Sequence, residues 1–136
     1  MKLFVFGNGS INFSDYIDFY LHHLNTLNNI RKVEFVVCDF CGVDTLTMEF
    51  LKTRSSKVSI YHIAERPRYL PARYRTKVTS WKLIGGFSCD EERDNAAIDA
   101  CTHFLALDFN STAQRESGTK KNINRCIVMK KIPLAT

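Results

Sequence analysis

No apolar run in this sequence approaches the ~18 residues that a membrane-spanning helix needs, which excludes a transmembrane reading. Only Leu3-Phe4-Val5-Phe6 separates Lys2 from Gly7, too short a run for the core of a signal peptide. Secretion is therefore not expected, and a cytoplasmic location is. No linker, internal repeat or low-complexity tract interrupts the 136 residues, so one domain is expected over 1–136. The five cysteines are an odd number, as in a protein of reduced thiols rather than a disulfide framework. Cys38 and Cys41 form a C-x-x-C, but no second C-x-x-C or helical His pair follows. His22 and His23 are adjacent, about 100° apart on a helix, and cannot make an i, i+4 metal pair. No metal or resident cofactor is expected. Cys38 and Cys41 are read as packed thiols, with redox or metal chemistry as the alternative. Neither a full G-x-G-x-x-G nor a Walker A loop is present.

What is present is a globular balance, 45% hydrophobic and 24% charged, with ten Phe, five Tyr and one Trp to fill a core. The net charge of +5 mildly favours anionic ligands. Residues 2–6 read as a strand covered on both faces. Ser14 is the expected N-cap of a helix carrying Ile17, Tyr20, Leu21, Leu24 and Leu27 inward, with Asn28-Asn29 ending it. Val33–Val37 and Lys57–Ile63 read as strands, with a helix over Asp44–Lys52 between them. A helix over Asp90–Thr102 carries acidic residues in its first turn, where they complement the helix dipole. A strand over His103–Phe109 follows, then a polar loop and a helix opened by Ser117-Gly118-Thr119. Ile132–Leu134 adds a short final strand.

Helices alternating with apolar strands predict an α/β, Rossmann-like, three-layer α/β/α fold with a mostly parallel sheet of about five strands. The exception is an irregular insertion at about 64–87. It carries Arg66, Arg68, Arg73, Arg75, Lys77 and Lys82 with Tyr69, Tyr74 and Trp81 interleaved. Stretches of this kind are often functional. Arg66–Lys82 is a candidate nucleic-acid contact, with aromatics to stack on bases and cations for phosphates. The alternatives are a solvated basic loop, or a lid whose Arg66 or Arg68 closes over a phosphate.

Ligands in such sheets bind beyond the carboxyl ends of the strands. That rule selects the loops at Gly7–Ser10, Asp39–Asp44 and 110–119. Gly7-Asn8-Gly9-Ser10 lets an anion approach backbone N–H groups, or simply makes the turn. Ser117-Gly118-Thr119 offers free amides and hydroxyls at a helix start, or simply a cap. Asp39 and Asp44 flank Cys41-Gly42, where a carboxylate suits a ribose diol or a base amino group. Arg93-Asp94 stands on the first turns of the acidic helix.

Taken in order, these segments resemble the SLOG superfamily. That Rossmann-like group includes the cytokinin-activating LOG phosphoribohydrolases, DNA-processing protein A and small YspA-like proteins. The resemblance covers nearly the whole chain. Gly7-Asn8-Gly9-Ser10-Ile11 is similar to a G-S-R-S-I turn. Asp39, Gly42 and Asp44 match a G-D-A-x-G-x-D strand end, and Val58-Ser59-Ile60-Tyr61 a V-x-V-Y strand. Arg93-Asp94 matches an R-D pair, and Ser117-Gly118-Thr119 an S-x-G-T helix start. LOG-type glycosidases place a Glu one turn into that last helix, where this chain has Asn122. Asparagine cannot act as general acid/base or nucleophile.

The resemblance therefore implies a pocket that binds or senses a nucleotide or nucleotide-derived small molecule. Its expected residues are Gly7, Asn8, Gly9, Ser10, Asp39, Gly42, Asp44, Arg93, Ser117, Gly118, Thr119 and Asn122. The phosphate is expected at Ser117–Thr119 and Gly7–Ser10. Asp39, Asp44 and Asn122 are expected to face the sugar, with Arg93 ordering the pocket. The alternative is an N-glycosidase or transferase acting on a nucleoside phosphate, with Asp39 or Asp94 as the catalytic carboxylate. A nucleic-acid-binding module is the third reading. A homo-oligomer is also considered, without a specific surface for it.

Overall fold

The computed structural model describes residues 1–134. One sheet of six parallel strands runs through it in the order β4-β3-β2-β1-β5-β6. The strands are β1 (Lys2–Val5), β2 (Glu34–Cys38), β3 (Val58–Ile63), β4 (Lys82–Phe87), β5 (His103–Leu105) and β6 (Ile132–Pro133). The helices are α1 (13–25), α2 (Val43–Leu51), α3 (Asp90–Ala100) and α4 (Gly118–Val128). This is the Rossmann-like α/β fold. The order reverses at β1, which pairs with β2 on one side and β5 on the other.

Two apolar layers sandwich the sheet. On one face Leu3, Val5, Phe35, Val37, Val58 and Ile60 pack against Tyr16, Tyr20 and Leu24 of α1 and Met48 and Leu51 of α2. On the other, Phe4, Phe6, Val36 and Phe104 pack against Ala97 and Ile98 of α3 and Cys126 of α4. Burial on both faces explains why the central strands read as continuous apolar runs rather than alternations. Each large side chain removed from water here contributes roughly 1.5–3 kcal/mol. No helix of the described residues is long and apolar enough to cross a membrane.

Three local expectations are corrected. The N-cap of α1 is Asn12, not Ser14, because the Asn12 side chain accepts the Asp15 N–H at 2.8 Å. The strand expected over His103–Phe109 pairs only to Leu105, since the Leu107 and Phe109 amides donate instead to the Tyr20 hydroxyl and the Asn8 side chain. The expected irregular stretch 64–87 ends in β4. As an edge strand it keeps Leu83, Gly85 and Gly86 exposed, so it lacks the apolar pattern of a buried strand.

The middle of α1 is a π-helical segment, Ile17–Leu21. It carries Tyr20, which stacks on Tyr16 with ring centroids 5.4 Å apart. The Tyr20 hydroxyl donates to the Phe6 carbonyl and accepts the Leu107 N–H, both at 2.9 Å. One buried phenol thus clamps the ends of β1 and β5 together. Gly7 is the residue that lets it in: a Cβ there would lie 2.3 Å from the Tyr20 oxygen and 2.7 Å from Val43 Cγ2. Gly7→Ala is expected to cost about 1–3 kcal/mol by overpacking. Urea denaturation measures it, and a loss below about 0.5 kcal/mol would mean the clamp moves aside freely.

Candidate functional site

A crevice of about 280 Å³ opens beyond the carboxyl ends of the strands, where the strand order reverses. The structure brings Gly7, Asn8, Gly9, Asp44, Arg93, Asp94, Ser117, Gly118, Thr119 and Asn122 together around it. Ser10, Asp39 and Gly42 do not line it. Ser10 is exposed and its hydroxyl accepts from Asn110. Gly42 makes the turn into α2 at φ +72°, pressed so close to Asn8 and Gly9 that a Cβ would meet the Asn8 carbonyl at 2.4 Å. The Gly42 turn is therefore conformational, as a left-handed backbone favours glycine.

One wall of the crevice is the start of α4. The Ser117 hydroxyl accepts the Lys120 N–H at 3.0 Å and donates to Asp108 Oδ1 at 2.6 Å. It is spent on the cap and is not free for a ligand. The Asn8 amide donates to Asp108 and to the Thr119 hydroxyl, and its oxygen accepts the Phe109 N–H at 2.7 Å. Asn8 therefore ties the β1 turn to the α4 start. Burial disfavours charge on Asp108, but hydrogen bonds from Ser111, Ser117, the Asn110 N–H and Asn8 outweigh it and hold the carboxyl far below its usual range. The N–H groups of Gly118 and Thr119 have no protein acceptor among the described residues. Helix starts of this kind attract anions. Arg115 lines the same wall, exposed, with no acidic partner among the described residues.

The opposite wall is acidic. Arg93 is buried in its midst, its Nη1 donating to Asp39 Oδ1 at 2.8 Å while Nε and Nη2 grip Asp94 Oδ1 at 3.0 and 2.8 Å. Asp94 Oδ2 in turn accepts from the Asn122 amide at 2.9 Å. Asp90 approaches the same guanidinium at 3.0 Å. These bonds join Arg93, Asp94 and Asn122 in one network along the crevice. Asp39 does not line the crevice: it is buried, and its carboxylate is paired with Arg93 and Arg68. Arg68 donates to it from its backbone N–H and from Nε and Nη2. Burial raises the Asp39 carboxyl, but these bonds and both arginine charges more than reverse that and hold it below its usual range.

Asp44 differs from its neighbours. It is buried, lines the crevice and accepts the Phe40 N–H at 3.0 Å. Burial pushes its carboxyl well above the usual range. The Phe40 N–H and Arg93 oppose the rise, while Asp94 and Asp39 add to it. The folded chain thus keeps a proton that the unfolded chain releases near pH 4. Stability falls as pH rises from there toward the folded value. Asp39 and Asp108 act in the opposite sense, and their contribution disappears as pH falls below about 4. Asp44→Asn keeps an acceptor for Phe40 and removes the titration. Urea unfolding should show the variant gaining on the wild type between pH 5 and pH 8; parallel pH profiles would mean Asp44 is ionised throughout.

No family model matches the chain, and no curated protein or solved structure matches it.

In the Arg-rich segment the three interleaved aromatics differ in exposure. Trp81 is buried and donates to the Ser55 carbonyl at 2.8 Å, and Tyr69 donates to Glu49. Of the three interleaved aromatics only Tyr74 is open for stacking. Arg68 pairs with Asp39 and Asp90. Cys38 is buried in the α3 face of the core and Cys41 is exposed; all five cysteines are free thiols. Among the described residues no cluster of three His, Cys, Asp or Glu side chains is placed to hold a metal ion.

Sequence reasoning missed Asp108, Arg115, Asp90 and Phe40. Asp108 carried a signal, a carboxylate just past an apolar strand and a few residues before a serine cap. Arg115 sits in a polar loop where nothing local distinguishes it from a solvated surface residue.

Proposed function

We propose that this chain binds a small nucleotide-derived phosphate ester in the crevice at the switch point. The observation that carries the reading is the polarity of the two walls. Unpaired α4 amides and Arg115 face, across about 280 Å³, the hydrogen-bonding groups of Asp44, Asp94 and Asn122. An anionic group suits the first wall. A sugar diol or a base edge suits the second. The volume lies near the lower end for ligand pockets, which favours a nucleoside monophosphate or sugar phosphate over a dinucleotide. The resemblance to SLOG proteins supports the same class. Thermal melting against nucleoside monophosphates, cyclic nucleotides, sugar phosphates, NAD and ADP-ribose tests it. A ligand at ~100 times its dissociation constant adds about 2.7 kcal/mol. A selective rise with the monophosphates is expected; a flat panel would overturn the reading.

A second reading rests on Asp44. A buried carboxyl held above its usual range suits delivery of a proton to a leaving nucleobase, while water adds to the sugar carbon in place of the base and gives its proton to Asp94. Asp44 thus replaces Asp39 as the candidate acid in an N-glycosidase. Release of free base from a bound nucleotide, abolished by Asp44→Asn, is its signature.

A further inference from the structure

The end of the molecule opposite the crevice is basic. All six strands run parallel, so their amino ends share one side of the sheet and the crevice lies at the other. Four adjacent strands start on a cation. Lys82 opens β4, Lys57 stands one residue before β3, Arg31 and Lys32 precede β2, and Lys2 opens β1. In sheet order they form one row across roughly 14 Å, three strand spacings. Arg31, Lys32, Lys57 and Lys82 are exposed and Lys2 is half-buried. None of the five is in an ion pair among the described residues. Asp44, Asp90 and Asp94 stand at the other end, along the crevice.

The row is concave at its centre. A cavity of about 170 Å³ lies between Lys2, Lys57 and Lys82, with Ser59, Ser80 and one acidic side chain, Glu34, also lining it. The register explains why they meet. Lys2 pairs with Glu34, and Ser59 with Lys82. Strand residues two apart share a face, which puts Lys57 on the side of Ser59. Lys2, Glu34 and Lys82 each stand two residues before Phe4, Val36 and Ile84, so they project on the α3 side, past the end of the apolar layer there.

Charge and chemistry indicate what covers this edge. Lysine ammoniums and serine hydroxyls are groups that hold phosphate oxygens. Cations set in a line suit a chain of phosphates rather than a single one. The cavity lining has no aromatic residue, so a single strand would find no platform on which to stack its bases. A duplex needs none, and presents one charge for about every 1.7 Å of its axis. The one apolar lining residue, Val58, is buried, which leaves nothing to insert into a bilayer.

We propose that this edge docks the phosphate backbone of duplex nucleic acid, without regard to base sequence. Lys82 is the one cation of the Arg66–Lys82 segment that lines the cavity. None of the five cations lines the crevice, so this stands apart from the ligand reading.

Fluorescence anisotropy with labelled duplexes of about 20 base pairs, in two unrelated sequences, tests it. The two are expected to bind equally, and to weaken roughly a hundredfold between about 50 and 200 mM salt, as about four phosphate contacts require. Lys57→Glu combined with Lys82→Glu is expected to weaken binding at least tenfold and to lower the salt slope by about two. The melting temperature is expected to stay unchanged, since both side chains are exposed and outside any ion pair. Arg66→Glu with Lys121→Glu makes the same change of charge at the crevice end and is expected to cost less than about threefold. Absence of duplex binding at about 50 mM salt overturns the proposal. So do equal losses from the two double variants, or tighter binding of a single strand of the same length. A preference for phosphatidylserine vesicles over the duplex, abolished by Lys57→Glu with Lys82→Glu, would overturn it in favour of a lipid surface.

Discussion

Arg93→Met is expected to destabilise the fold by about 3–5 kcal/mol, the cost of leaving buried charge without its partner. For a domain of this size that is a fall of roughly 10–20 °C in melting temperature. The guanidinium side chain is 4% exposed and Asp39 beside it is 0% exposed, so water cannot replace what is lost. Removing Arg93 leaves Arg68 as the only cation on Asp39 and strips Asp94 of both guanidinium bonds. A methionine of similar length fills the space, which isolates the charge from the volume. Asp39→Asn added to Arg93→Met should recover part of the loss, since it removes one of the stranded carboxylates. Thermal and urea unfolding measure both. A loss under about 1 kcal/mol would show that the network is hydrated and that Arg93 is not its keystone.

Gly118→Asp should do the reverse, leaving the fold intact and removing the ligand. A Cβ at Gly118 meets nothing within 4 Å, and its backbone is not in the left-handed region. An aspartate in the first turn of α4 complements the helix dipole, by about 0.3–1 kcal/mol. The same carboxylate stands beside the unpaired Gly118 and Thr119 amides. A like charge ~4 Å from a phosphate costs about 4 kcal/mol at an effective dielectric of about 20, roughly a thousandfold in affinity. The expected result is therefore a variant that melts at or above the wild type yet shows no shift with AMP. Calorimetric titration of AMP into both proteins checks it. Unchanged AMP affinity would move the anion position away from α4.

The apolar strands and the helical spacing of Tyr20, Leu24, Met48 and Ile98 were enough to determine a parallel α/β sheet, because burial on both faces leaves its mark on every central strand. They also determined the crevice, since the carboxyl ends of such strands are where loops converge. Ten of the expected site residues meet there for that reason. Only the tertiary structure decided what each does. Asp39 and Asp44 lie five positions apart on similar turns, yet two arginines hold the first carboxyl below its usual range while burial pushes the second well above it. The difference comes from Arg93, 54 residues from Asp39 in sequence, and Arg68, 29 residues away. Asn8 is held by Thr119 across 111 residues, and nothing local in the Gly7–Ser10 turn encodes that. β4 escaped for a related reason. An edge strand is bounded by solvent on one side, so its residues need not be apolar and carry no pattern to read.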